Sequence, residues 1–155
     1  MPDAPLDLRF KVFGRVARPV AAVFEAVADP GQLAAYFTTG GAQGRLATGT
    51  TVTWDFADFP GAFPVEVVEA VEGTRIVLRW GDANEGGART RTEAVMTFTD
   101  TGDARTLVEI EEHGWPADAA GLAASYGNCM GWSQMLCALK AWVEHGINLR
   151  EGMYK

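Results

Sequence analysis

The sequence predicts an α+β domain: a curved antiparallel sheet of six or seven strands beside one long C-terminal helix, with two short helices after the first strand. Three observations predict it. From Gly44 to Gly114, short runs of alternating apolar and polar residues are separated by glycine-containing turns. After Trp115-Pro116 the apolar period changes to that of a helix and holds for more than twenty residues. Between Pro19 and Phe37 two shorter helical patterns meet at Asp29-Pro30-Gly31.

Leu8-Arg9-Phe10-Lys11-Val12-Phe13-Gly14-Arg15-Val16 alternates as a half-buried strand does. Pro19 stands where a first helical turn tolerates proline, and Val20, Val23, Phe24 and Val27 share one helical face. Gln32 to Phe37 continues as a short second helix that stops at Thr38-Thr39-Gly40-Gly41. Val52, Trp54 and Phe56 then alternate with Thr51, Thr53 and Asp55, and Val65, Val67 and Val71 with Glu66 and Glu72, which reads as a hairpin. Further strands follow at Ile76, Leu78 and Trp80, at Ala94, Met96 and Phe98, and at Val108 and Ile110. Their turns are Glu72-Gly73, Glu85-Gly86-Gly87 and Thr101-Gly102-Asp103. Connections this short make neighbouring strands antiparallel. In the last helix Leu122, Tyr126, Cys129, Ser133, Leu136, Lys140 and Val143 form a stripe that Met130, Trp132 and Leu139 widen, ending near His145-Gly146.

A chain of 155 residues has the length of one domain, and neither a repeat nor a linker interrupts residues 1–155. A net charge of −7 argues against a nucleic-acid partner, which needs a clustered basic surface. Ala119 to Leu139 contains no charged residue, but Gly121, Ser125, Gly127, Asn128, Gly131, Ser133 and Gln134 dilute its apolarity, so no membrane insertion is expected. Met1-Pro2-Asp3-Ala4-Pro5 lacks the basic and apolar segments of a secretion signal, which points to the cytoplasm. Cys129 and Cys137 share one helix at a separation of about 12 Å, beyond disulfide reach, and are expected as buried free thiols.

The helix must lay its apolar stripe on the apolar face of the sheet. It carries Gly121, Ala123, Ala124, Gly127 and Gly131, whereas the strands carry Trp54, Phe56, Trp80 and Phe98. Either those side chains reach across and fill the space, or a gap is left for a ligand.

The order strand, helix pair, strands, long helix carries Glu112-His113-Gly114-Trp115 ahead of Gly131-Trp132-Ser133-Gln134-Met135-Leu136-Cys137-Ala138-Leu139-Lys140. Over nearly the whole chain this resembles the START-related helix-grip (SRPBCC) superfamily. Within it the chain is most similar to the bacterial subfamily named after the activator of the 90-kDa heat-shock protein ATPase. The resemblance implies an apolar small-molecule ligand, such as a lipid or polyketide, between sheet and helix. The implied wall is Trp54, Phe56, Phe63, Val67, Leu78, Trp80, Met96 and Phe98 from the sheet, with Tyr126, Met130, Ser133 and Met135 from the helix. Chaperone activation is not expected, because the eukaryotic activator carries an additional N-terminal domain for which this chain has no room.

Polar chemistry is sparse. His113 and Glu112 are the candidate acid-base pair, and Tyr126, Ser133 and Asn128 candidate hydrogen-bonding partners of a ligand. His145 has no acidic partner at ligand spacing, so no metal is expected. No phosphate-binding loop, dinucleotide fingerprint or serine elbow is present, so no cofactor is expected. Phe56-Ala57-Asp58-Phe59-Pro60-Gly61-Ala62-Phe63-Pro64 reads as a loop that forms a lid, meets a partner, or folds onto the core. An uncovered face of the neutral helix would favour a homodimer. Three functions compete: non-catalytic binding of an apolar molecule, a polyketide cyclase or aromatase using His113, Glu112 and Tyr126, and a stress-related or chaperone-associated protein-binding module.

Overall fold

The structure is a computed structural model and describes residue 4, residues 6–81 and residues 91–155. The turn expected at residues 85–87 and most of the first five residues lie outside the described residues.

Seven strands form one antiparallel sheet: β1 (Arg9–Val16), β2 (Gly41–Gln43), β3 (Thr51–Phe56), β4 (Phe59–Val71), β5 (Arg75–Trp80), β6 (Thr92–Asp100) and β7 (Thr106–His113). Three helices accompany them: α1 (Val20–Ala28), α2 (Pro30–Tyr36) and α3 (Ala119–His145). Strand order is β1-β7-β6-β5-β4-β3-β2, so β2 to β7 run as a meander and β1 joins at the β7 edge. Such a twisted sheet curls around the helix that covers it.

Local chemistry sets the helix boundaries. Asp29 ends α1 in extended backbone and caps α2, its carboxylate accepting the Gln32 N–H at 2.9 Å, while Pro30 occupies the first turn. Asp118 accepts the Gly121 N–H at 2.7 Å at the start of α3, and Gly146 closes it in the left-handed conformation (φ 68°). Alternation puts Ile76, Leu78, Ala94, Met96, Val108 and Ile110 on the covered face, all fully buried. Trp132, Met135, Ala138 and Leu139 of α3 meet that core together with Phe24, Val27, Leu33 and Tyr36 of α1 and α2. Tyr36 is fully buried, and its hydroxyl donates to the Ala26 carbonyl at 2.9 Å.

Four expectations are corrected. First, β2 precedes Gly44 and is paired with β3, from Gly41↔Asp55 to Gln43↔Thr53. Three residues are too few for alternation to register. Second, the aromatic stretch is mostly strand: β4 starts at Phe59, so only Ala57 and Asp58 separate it from β3. Pro60 and Pro64 fit because pairing with β5 begins at Glu66↔Arg79, leaving them no β5 partner to donate to. Third, the buried stripe of α3 runs through Gly121, Ser125, Trp132, Met135, Leu136 and Leu139, leaving Leu122, Tyr126 and Met130 exposed. The N-terminal half of α3 carries no charge on any face, so its periodicity did not decide which side turns inward. Fourth, the cysteines are free, but Cys129 is half-buried and Cys137 exposed.

Candidate functional site

At the N-terminal half of α3 the helix stands away from the β3-β4-β5 side of the sheet, and a cleft opens. Its larger chamber, about 700 Å³, lies among Phe56, Phe63, Trp80, Trp115, Gly121 and Ala124. A smaller chamber of about 310 Å³ lies among Phe37, Met130, Gly131, Trp132, Arg150 and Tyr154. Phe56, Phe59, Trp80 and Asn128 border both, so the chambers share a wall. The helix contribution is small residues: a Cβ added to Gly127 or Gly131 would meet nothing within 4 Å. The sheet contribution is aromatic. Phe56 stacks on Phe63 with ring centroids at 5.7 Å, and Trp80 lies 5.4 Å from Trp132 and 5.7 Å from Trp54.

Beneath this surface sits Glu112, 0% exposed. Trp80 Nε1–H donates to its Oε2 at 2.6 Å and Thr92 Oγ1–H to the same oxygen at 2.5 Å. Trp132 Nε1–H donates to Oε1 at 2.8 Å, and the Asn128 amide reaches both oxygens at 3.1 and 3.2 Å. Four neutral side chains from two strands and the helix therefore converge on one carboxylate, which a buried acid requires. Its chemical effect is orientation. The indoles of Trp80 and Trp132 and the Asn128 side chain, all of which border the cleft, are held by a common acceptor.

The sequence candidates are distributed as follows. Phe56, Phe63, Trp80 and Met130 line the cleft, Met130 on its outer rim at 55% exposed. Trp54, Val67, Leu78, Met96, Phe98 and Met135 are buried in the core and border neither chamber. Tyr126 is 68% exposed. Ser133 donates to the Cys129 carbonyl at 2.8 Å. Glu112 and His113 are adjacent on β7 and so point to opposite faces: Glu112 inward, His113 outward, with its Nε2 3.6 Å from Glu93. They do not form a working pair. Among the described residues no group of three His, Cys, Asp or Glu side chains is placed to hold a metal ion, and no helix is long and apolar enough to cross a membrane.

Sequence reasoning missed Trp115, Pro116, Phe37, Arg150 and Tyr154. The last two come from the segment after α3, which has no periodicity to reveal that it folds back. Arg150 is only 5% exposed; its guanidinium lies over the rings of Tyr154, Phe56 and Phe37, at 4.8, 5.5 and 5.7 Å. Tyr154 in turn meets Phe59, itself 59% exposed, with centroids at 5.8 Å.

A curved antiparallel sheet, a long C-terminal helix and a cleft between them define a helix-grip domain. The chain belongs to the family described as Activator of Hsp90 ATPase homolog 1-like protein, which matches residues 17–144. Solved structures of the same fold include a protein from Staphylococcus saprophyticus, with TM-score 0.76 at 22% identity, covering 92% of this chain and 96% of that one. DynU16, from the dynemicin biosynthetic locus, gives 0.74 at 26% identity, with 89% of this chain and 48% of that one covered. The Aha1 dimer from Colwellia psychrerythraea gives 0.72 at 17%, over 90% and 98%. No curated protein matches the sequence.

Proposed function

We propose that this single domain binds an apolar, ring-containing small molecule in the cleft between α3 and the sheet, without chemically changing it. The observation that carries the reading is the cleft itself: chambers of about 700 and 310 Å³, aromatic on the sheet side and glycine-lined on the helix side, are of the size small-molecule sites have. Phe56, Phe63, Trp80, Trp132 and Met130 are its proposed walls. Glu112 favours binding over catalysis, because a carboxylate whose oxygens already accept from four side chains is not free to take a substrate's proton. The likeness to DynU16, of a biosynthetic locus, supports a small-molecule role over a chaperone-associated one.

The test is native mass spectrometry of the protein isolated from its own cells. A discrete adduct lost on denaturation is expected. A ligand-free mass, together with no thermal shift against a library of aromatic hydrocarbons, alcohols and amides, would sink the reading.

A homodimer is the companion proposal. Leu122, Tyr126 and Met130 recur every fourth residue on the exposed side of α3, and a second copy would cover them. The similar fold of the Aha1 dimer from Colwellia psychrerythraea supports it. Sedimentation should show a dimer that Met130→Glu dissociates; a wild-type monomer at all concentrations would refute it. The two free thiols fit a reducing compartment, and we propose the cytoplasm.

A further inference from the structure

Arg150 is a buried cation whose Nε is without a hydrogen-bond partner among the described residues. At 5% exposed it has lost most of its water, and the described residues offer that Nε no acceptor in exchange. Among the described residues the guanidinium makes no hydrogen bond; the acidic atom paired with it is Asp58 Oδ2, 3.9 Å from Nη2 and beyond hydrogen-bond distance. Buried charges are ordinarily both paired and hydrogen-bonded. The aromatic rings near its guanidinium carbon do not supply the missing partners. A ring face attracts the charge as a whole but offers none of the lone pairs that the five N–H donors of a guanidinium take.

The residue is also held in place. Its backbone N–H donates to Asn148 Oδ1 at 2.9 Å, and its carbonyl accepts from the Met153 N–H at 3.1 Å, so a turn fixes it on both sides. It borders the smaller chamber, whose remaining wall is aromatic, glycine, methionine and the Asn128 amide. Glu112 accepts from its own four side-chain donors and forms no ion pair with Arg150 among the described residues.

We infer that the ligand of the cleft is an aromatic carboxylic acid, its rings against Phe56 and Trp80 and its carboxylate on the Arg150 guanidinium. This rests on the binding role proposed above and names the ligand class. Arg150 is the single cation bordering the smaller chamber among the described residues, so it matches one carboxylate better than a multiply charged phosphate. The guanidinium is already out of water and orientated before the ligand arrives, so the charge-assisted bonds form without a fresh desolvation of the protein side.

The test uses the full chain with 2-naphthoate and its neutral isostere 2-naphthamide, titrated by calorimetry. Wild-type protein should bind the acid roughly tenfold or more tightly than the amide. Arg150→Gln should abolish that preference, and Arg150→Lys should restore part of it. Asp58→Asn, which removes the competing carboxylate and leaves Arg150 in place, should tighten acid binding. Equal affinity for acid and amide in wild type, or a preference that survives Arg150→Gln, overturns the inference while the cleft remains a binding site. Binding of neither probe also overturns the inference, and the binding role itself is then decided by the native mass and the thermal-shift library.

Discussion

The two halves of α3 face the same sheet and treat it differently. From Trp132 to Leu139 the helix is seated: Trp132, Met135, Ala138 and Leu139 are buried against the core, and Tyr36 stacks on Trp142 just beyond, with centroids at 6.5 Å. From Ala119 to Gly131 the helix stands off and borders both chambers. Glycines mark the contrast. A Cβ on Gly121 would fall 1.8 Å from the Pro116 carbonyl oxygen, whereas one on Gly127 or Gly131 would project into open space. The same residue type thus serves close approach at the helix start and an unfilled volume two turns on. Packing quality follows side-chain size position by position rather than element by element.

The largest effect should come from the group that ties the halves together. Glu112→Ala leaves Trp80 Nε1, Thr92 Oγ1, Asn128 Nδ2 and Trp132 Nε1 without their acceptor, and should destabilise the fold by about 3–5 kcal/mol in urea denaturation. A loss under about 1 kcal/mol would mean the cleft wall is not organised by this carboxylate. Gly121→Ala, on the closely approached side, should cost about 1–3 kcal/mol because the Pro116 backbone must shift.

In the seated region Tyr36→Phe leaves the Ala26 carbonyl unsatisfied and should cost about 1 kcal/mol. Burial pushes the Tyr36 phenol well above its ordinary value. In the unfolded chain it ionises near 10, so its stabilising contribution is complete below about pH 10 and declines as pH rises beyond it. Tyr36→Phe should therefore flatten the alkaline limb of a stability-pH curve, and an unchanged limb would contradict the assignment. The smallest effect has the opposite sign. Gly127→Ala and Gly131→Ala should each stabilise by about 0.5–1 kcal/mol through helix propensity while shrinking the smaller chamber.

The same contrast explains what could be read from the sequence. Strands with one buried face declared themselves by alternation, and α1, α2 and the seated half of α3 by period and by the turn at Asp29-Pro30-Gly31. The α+β class, an antiparallel sheet of six or seven strands and the family followed from those patterns and their order, whereas the three-residue β2 did not. The open half of α3 did not, because a helix without charges offers no polar side to orient it. Tyr126 was assigned inward on spacing and is exposed, whereas Ser125 beside it is buried. Glu112 was legible as a residue worth weighing; its four donors were not, since they are spread over β5, β6 and α3 and converge only in space. Arg150 lay beyond any periodic segment, and no pattern marks a chain that doubles back.

On the proposed function, the cleft at the open half of α3 admits a guest while the seated half stays closed. Indole N–H resonances read both at once: Trp80 and Trp132 border the cleft, and Trp142 lies against Tyr36. Titration with neutral 2-naphthamide should shift the Trp80 and Trp132 signals saturably and leave Trp142 in place. Indole signals that stay unmoved at the solubility limit, or that all move together, would contradict the account.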